Sequence, residues 1–295
     1  MNILKTVKKI PGGLMVVPLL LGAIINTFFG GTIWTMFDGT FTTYLWKSGA
    51  MPILAVFIFC NATTINFKKA GVTVYKGVVI TAVKVGVGII IGLICGKLFG
   101  EAGFLGLSTL AIVGAPANSN GGLYAALAGE YGDATDVGAV SILSINDGPF
   151  FTMVALGAAG VAKIPMSVLV GCIIPVIVGC IMGNLDEDIR KFCEPGASML
   201  IPFFAFPLGA GLNIMNLIKA GGPGILLGVG CTLITGLVGY LVYKLLRMDH
   251  PEVGGAIGTT AGNAAATPAS VAAVDATLLA VSEAATAQIT AAIIV

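Results

Sequence analysis

Charge is what this sequence has least of. Lys and Arg number 15 and Asp and Glu 14, so 10% of the 295 residues are charged while 57% are hydrophobic, and the mean hydropathy is +1.00. Soluble domains carry about a quarter charged residues. A water-soluble core cannot absorb this much apolar surface, which makes lipid the solvent for most of the chain. A net charge of +1 excludes the basic footprint that nucleic-acid binding needs. Histidine occurs once, as His250 beside charged residues, which leaves no basis for a histidine metal site. The cysteines, Cys60, Cys95, Cys172, Cys180, Cys193 and Cys231, form no CxxC pair and fall mostly in apolar runs. There cysteine behaves as a small hydrophobe, and neither a disulfide framework nor a metal centre is expected. A paired-carboxylate motif for intramembrane aspartyl chemistry is also missing, so no catalytic residues are assigned.

What the chain does have is apolar runs. A span needs about 20 mostly apolar residues. Runs near 13–31, 50–65, 77–99, 104–127, 137–161, 165–183, 198–217, 223–246, 254–273 and 276–295 supply ten. The basic start MNILKTVKKI resembles a signal peptide, but the run behind it is long enough to span and more spans follow; it reads as a first membrane helix. With the amino terminus inside, cytoplasmic segments hold ten basic residues (Lys5, Lys8, Lys9, Lys68, Lys69, Lys76, Arg190, Lys191, Lys244, Arg247) against four outside (Lys47, Lys97, Lys163, Lys219). That asymmetry sets the orientation. Trp34, Tyr44 and Trp46 flank the first outer loop as an aromatic belt would.

The two halves echo each other. A shift of 150 lays Pro52, Ala55, Asn66, Lys69, Ala70 and Gly71 on Pro202, Ala205, Asn216, Lys219, Ala220 and Gly221. A shift of 142 lays the DAT of 133–135 on the DAT of 275–277, and one of 143 puts Asn120 on Asn263. Five spans per copy is an odd number, so the second copy is inverted. The expected fold is an all-α membrane protein of ten transmembrane helices in two inverted five-helix repeats, residues 1–161 and 162–295. By comparison with the first repeat, the chain ends inside its tenth span.

Two spans are interrupted. The fourth contains GAPANSNGGLYAAL at 114–127, and the ninth contains Gly258, Thr259, Thr260, Gly262, Asn263, Thr267 and Pro268. Unwound backbone at membrane depth survives only against protein or water, and paired interruptions in corresponding halves are the best sequence pointer to a transporter's binding site. Broken helices expose N–H groups that attract anions, while carbonyls and amides can hold a cation or sugar hydroxyls. The candidate substrate-binding residues are Asn118, Ser119, Asn120, Gly121, Thr259, Thr260, Asn263 and Thr267, and the expected cargo is a small hydroxylated or carboxylated solute. A surface turn is the competing reading of NSNGG; the absence of charge from Leu105 to Leu127 weighs against it.

Ionisable residues inside spans are functional candidates by default. Asp147, beside Asn146, lies in the fifth span, and Glu283 and Gln288 lie in the tenth; these four are the candidates for a coupling ion. Lys84 in the third span is expected to snorkel to the interface. Glycines 88, 92, 96 and 100 form a GxxxG face that reads as close helix packing.

The stretches KKIPGGLMVVPLLLGA (8–23), LGLSTLAIVGAPANSNGGLYAAL (105–127), GNLD (183–186) and LIPFFAFPLG (200–209) resemble the 2-keto-3-deoxygluconate permease family along nearly the whole chain. That resemblance implies a bacterial inner-membrane symporter, amino terminus cytoplasmic, importing this sugar acid with protons and without a cofactor. A sodium-coupled symporter of another organic anion is the alternative. Through a distant likeness to bile-acid sodium symporters it also implies a panel of spans 1, 2, 6 and 7, a core of spans 3–5 and 8–10, and discontinuous helices four and nine crossing at the bilayer midplane. The chain departs from the family pattern in having Ala117 and Asn118 before NGGLYA rather than an acid, and Asp147 where the acid usually stands one position earlier.

Overall fold

Glycine decides how closely these helices lie. The computed structural model describes residues 2–10, 13–65, 71–100, 103–146 and 148–295, except the side chains at 216 and 217. Asp147 and the part of the repeat echo at 66–70 lie outside the described residues. Among the described residues the chain is helical, with one isolated bridge between Phe104 and Leu107. The principal helices are α1 (Gly13–Met36), α2 (Ala50–Thr63), α3 (Gly71–Phe99), α4 (Thr109–Ala117), α5 (Gly121–Tyr131), α6 (Phe150–Ala158), α7 (Met166–Leu185), α8 (Ile201–Gly209), α9 (Ile214–Leu245), α10 (Pro251–Gly255), α11 (Thr267–Ala272) and α12 (Leu279–Ile294).

Five segments among the described residues are long and apolar enough to cross a membrane unaided, in α1, α3, α7, α9 and around α12. The remaining expected spans are shorter or divided. The fifth is split into Ala134–Asn146 and Phe150–Ala158, set at 60° to each other. The seventh ends at Gly209 rather than 217, because Asn213 accepts from Met215 N–H and caps the start of the 32-residue α9 there. On α7, Met166, Val170, Ile174, Ile177 and Ile181 are each at least half exposed. An apolar stripe of that length is stable only against hydrocarbon.

α1 packs along α8 and α2 along α7. At Gly22 and Gly209, and at Gly179 and Gly183, an added methyl would run into the facing main chain of Phe206, Leu19, Phe59 and Thr63 respectively. α3 lies on α4 and α6, and α9 lies on α10 and α12; α3 also touches α9, and α4 touches α12. The expected glycine face of α3 is real over three of its four positions. A Cβ at Gly88, Gly92 or Gly96 would lie 3.2, 3.1 or 2.9 Å from Ala117, Val113 or Val161. Gly100 instead has φ +60° with nothing near it, and ends the helix.

The two DAT sequences form the same local structure. Asp133 accepts from Thr135 N–H and Oγ1, and Asp275 from Thr277 N–H and Oγ1, each starting a short helical turn. The Thr135 hydroxyl and the Asp136 N–H hold the Asp133 carboxyl well below its usual range, and the Thr277 hydroxyl and the Lys163 N–H lower that of Asp275. A depressed carboxylate stabilises the fold above its unfolded pKa and ceases to do so as pH falls through the lower folded value. Asp275→Asn should therefore lower the unfolding midpoint by a similar amount at every pH above about 4, with the difference closing only in stronger acid. Gly209→Ala should cost roughly 1–3 kcal/mol in thermal unfolding in detergent. Gly86→Ala, with open space at that position, should be neutral or slightly stabilising.

Candidate functional site

The first interruption falls where the amides predicted it. α4 begins at Ser108, whose Oγ accepts from Ala111 N–H, and stops at Ala117 one residue after Pro116. Asn118 and Asn120 are extended, and Asn120 Oδ1 accepts from Leu123 N–H at 3.0 Å to start α5. The Asn side chain supplies the acceptor that a new helix amino end requires. The second interruption lies between α10 and a 3-10 turn at Gly262–Ala266, after which Pro268 sits in the first turn of α11. Gly258 is required there, since a Cβ would lie 2.7 Å from the Thr232 carbonyl oxygen.

The interruptions touch. Asn120 N–H donates to Thr259 Oγ1 at 2.9 Å, across 139 residues of sequence. Behind Thr259 stands Lys84, wholly buried, whose Nζ donates to the carbonyls of Thr259 at 2.6 Å and Ile257 at 2.8 Å and to Thr235 Oγ1 at 3.2 Å. The expectation that Lys84 snorkels is therefore wrong: the unwound backbone offers it carbonyl acceptors inside the protein, so it has no need of the interface.

Two cavities adjoin this junction. One, of about 640 Å³, is lined by Ser119, Asn120, Gly121 and Asn263, and also by Asn61 and Ser144. The other, of about 650 Å³, takes in Asn120, Thr259 and Thr260 with Thr232. Lys8 lines both. Ser119 Oγ and Thr260 Oγ1 are buried with no hydrogen-bond partner among the described residues. A buried hydroxyl left unpaired costs about 1–3 kcal/mol, so each is an unspent donor and acceptor beside a cavity.

Other candidates stand elsewhere. Asn118 Nδ2 turns away to the Gly114 carbonyl and Thr152 Oγ1. Thr267 is buried and lines neither cavity. Asn146 is buried with both amide atoms unpartnered among the described residues, and it too lines neither cavity. Asp147, the main candidate for ion coupling, lies outside the described residues. Gln288 accepts from Ser108 N–H and Oγ and donates to the Gly106 carbonyl, capping the far end of α4 rather than the break. Glu283 accepts from Asn213 N–H at the start of α9. Sequence reasoning missed Asn61, an amide inside the second apolar run that was there to be noticed, and counted Lys8 only for orientation. Asp133, Asp136 and His250 place ligand atoms within 4.8 Å of one another, but Lys76 Nζ already sits 2.8 Å from Asp136 Oδ1 and neutralises that carboxylate.

A family model described as 2-keto-3-deoxygluconate permease matches residues 4–295. The chain belongs to that family. It is 49% identical over 294 residues to the 2-keto-3-deoxygluconate permease 1 of Salmonella typhimurium, covering 100% of this chain and 92% of that one. It is 40% identical over 300 residues to the 2-keto-3-deoxygluconate permease of Bacillus subtilis, covering 100% and 90%. A third relative, from Escherichia coli, is 38% identical over 277 residues, covering 92% and 84%. A permease is a transporter rather than an enzyme, and the exposed apolar helices fit a multi-pass membrane protein.

Thr259→Val removes the acceptor that joins the breaks and should lower stability by about 1 kcal/mol in thermal unfolding. Thr260→Val deletes an unpaired hydroxyl and should be neutral or slightly stabilising to the ligand-free protein. Equal effects of the two would show that the junction carries no weight.

Proposed function

We propose that this chain is a secondary active transporter that imports 2-keto-3-deoxygluconate, or a similar sugar acid, across the bacterial inner membrane by proton symport. The observation that carries the reading is the Asn120–Thr259 hydrogen bond: two unwound segments from opposite halves meet, with amide- and hydroxyl-lined cavities adjoining them. The relatives' names supply the substrate class. A sugar acid needs one anionic group neutralised and several hydroxyls bonded. Asn120, Asn263, Ser119, Thr259 and Thr260 offer the hydroxyl partners, and Lys8 gives the cavities a basic rim.

Ten spans in two inverted repeats of 1–161 and 162–295 are the architecture we infer. In its favour, the pairing of α1 with α8 (spans 1 and 7) becomes the pairing of α7 with α2 (spans 6 and 2) when the halves are exchanged. The matched Asp133 and Asp275 caps obey the same exchange. The ten-span topology, in either orientation, also fits Lys76, which pairs with Asp133 and Asp136, all three assigned to the cytoplasmic side. Lys163 N–H bonds Asp275, both assigned to the outer side. The larger group of helices (spans 3–5 and 8–10) would rock against spans 1, 2, 6 and 7, exposing the junction to each side in turn. Asp147 remains the candidate for the transported proton. Sodium coupling is the second reading.

Proteoliposomes should accumulate labelled 2-keto-3-deoxygluconate under an inside-alkaline pH gradient without sodium; accumulation driven only by a sodium gradient would favour the second reading. Asn120→Ala and Asn263→Ala should each lower uptake about ten- to hundredfold, the weight of a hydrogen bond to a charged solute. Unchanged uptake in both variants would move the site elsewhere.

A further inference from the structure

Lys84 is a buried charge that lines neither cavity and so does not contact the solute directly. It stands in the middle of the 29-residue α3, 13 residues after Gly71, which is about 20 Å along the helix. Its side chain is wholly buried, and no carboxylate pairs with it among the described residues. An unpaired ammonium taken out of water is among the most expensive groups a protein can bury. Here it is surrounded by oxygen: the carbonyls of Ile257 and Thr259 at 2.8 and 2.6 Å and the Thr235 hydroxyl at 3.2 Å, one acceptor for each of its three protons. Among the described residues Cys231 Sγ, at 3.9 Å, is the one titratable group bonded to it. Both carbonyls belong to the unwound chain behind α10. Unwound carbonyls at a helix break are the donor set with which transporters hold a monovalent cation.

We propose that the Lys84 ammonium fills a monovalent-cation position built from the oxygens of the second break, so that the chain carries its own cation there and needs no free Na⁺ at that position. The inference rests on the reading of the two breaks as a transport site and refines it. The tethered charge holds the Ile257 and Thr259 carbonyls in place, which keeps Thr259 Oγ1 facing Asn120 N–H. The ion that a related site would take from solution is thus built into α3.

Two substitutions separate a cation's role from a filler's. Lys84→Ala leaves the oxygens and opens room among them; Lys84→Met fills the room and brings no charge. Thermal unfolding in detergent and exchange of labelled 2-keto-3-deoxygluconate across proteoliposomes are measured with sodium chloride and with choline chloride. The wild type should give the same midpoint and rate in both. Sodium should raise the Lys84→Ala midpoint and speed its exchange by roughly five- to hundredfold, the usual range for coupled sites. Lys84→Met should exchange poorly in both salts. A Lys84→Ala protein with the wild type's indifference to sodium, or one that sodium fails to rescue from unfolding, would overturn the proposal. So would a Lys84→Met protein exchanging at the wild-type rate. Absence of exchange in the wild type would sink the substrate assignment alone, because the unfolding comparison uses no substrate and still decides the cation question.

Discussion

A peptide group inside a bilayer has no water to bond, so every turn of helix that this chain gives up must be answered by some other part of the protein. Both interruptions obey that constraint by borrowing across the sequence. Asn120 N–H goes to a threonine hydroxyl from the other half, Leu123 N–H goes to the Asn120 side chain, and the Ile257 and Thr259 carbonyls go to Lys84. Beside the cavities, two buried side-chain hydroxyls, those of Ser119 and Thr260, have no hydrogen-bond partner among the described residues.

The scaffold around the junction is held by contacts of another kind. In lipid the hydrophobic effect contributes nothing to helix association, and close van der Waals packing has to suffice. Gly22 against Phe206, Gly209 against Leu19, and Gly179 and Gly183 against α2 bring main chains together where any side chain would intrude. Gly224 and Gly228 do the same for α9 against α12. These seams join helices within each of the two proposed groups, α1 with α8 and α2 with α7 in one, α9 with α12 in the other. The wall of the cavity lined by Ser119 and Asn263 draws on both groups, with Asn61 from one and Asn120 from the other. A rocking motion between the groups would alter that cavity while leaving the glycine seams intact, which is the mechanical property alternating access needs.

Much of this was legible in the sequence, and the exceptions share a cause. The interruptions were visible because Asn, Gly and Pro carry their local backbone preferences with them. The DAT caps were visible because the bonding is confined to two or three residues. Lys84 was misread because its partners are main-chain carbonyls 173 and 175 residues away, and no residue type announces a carbonyl. The partners of Gln288 were hidden for a similar reason: they are the start of α4, some 180 residues earlier. Hydropathy counted ten runs, yet among the described residues five segments are long enough to span unaided. A window average does not register where a cap such as Asn213 cuts one run short and extends the next.

The distribution of positive charge also bears on how such a site releases its cargo. The chain has only two arginines, Arg190 and Arg247, and neither lines a cavity. A bidentate guanidinium would hold a carboxylate strongly and at fixed geometry, which suits a storage protein better than a carrier that must let go on the far side. Lys84 instead lies behind the Thr259 peptide, one layer removed from the cavity. At an effective dielectric of about 20, two unit charges at roughly 4 Å attract by about 4 kcal/mol, and the attraction falls inversely with distance. A charge set back by one peptide layer would therefore still favour an anion by a few kcal/mol without binding it directly. Hydroxyls and amides would then supply selectivity for the sugar, and the recessed ammonium its preference for an acid, while neither alone would bind tightly enough to trap the solute.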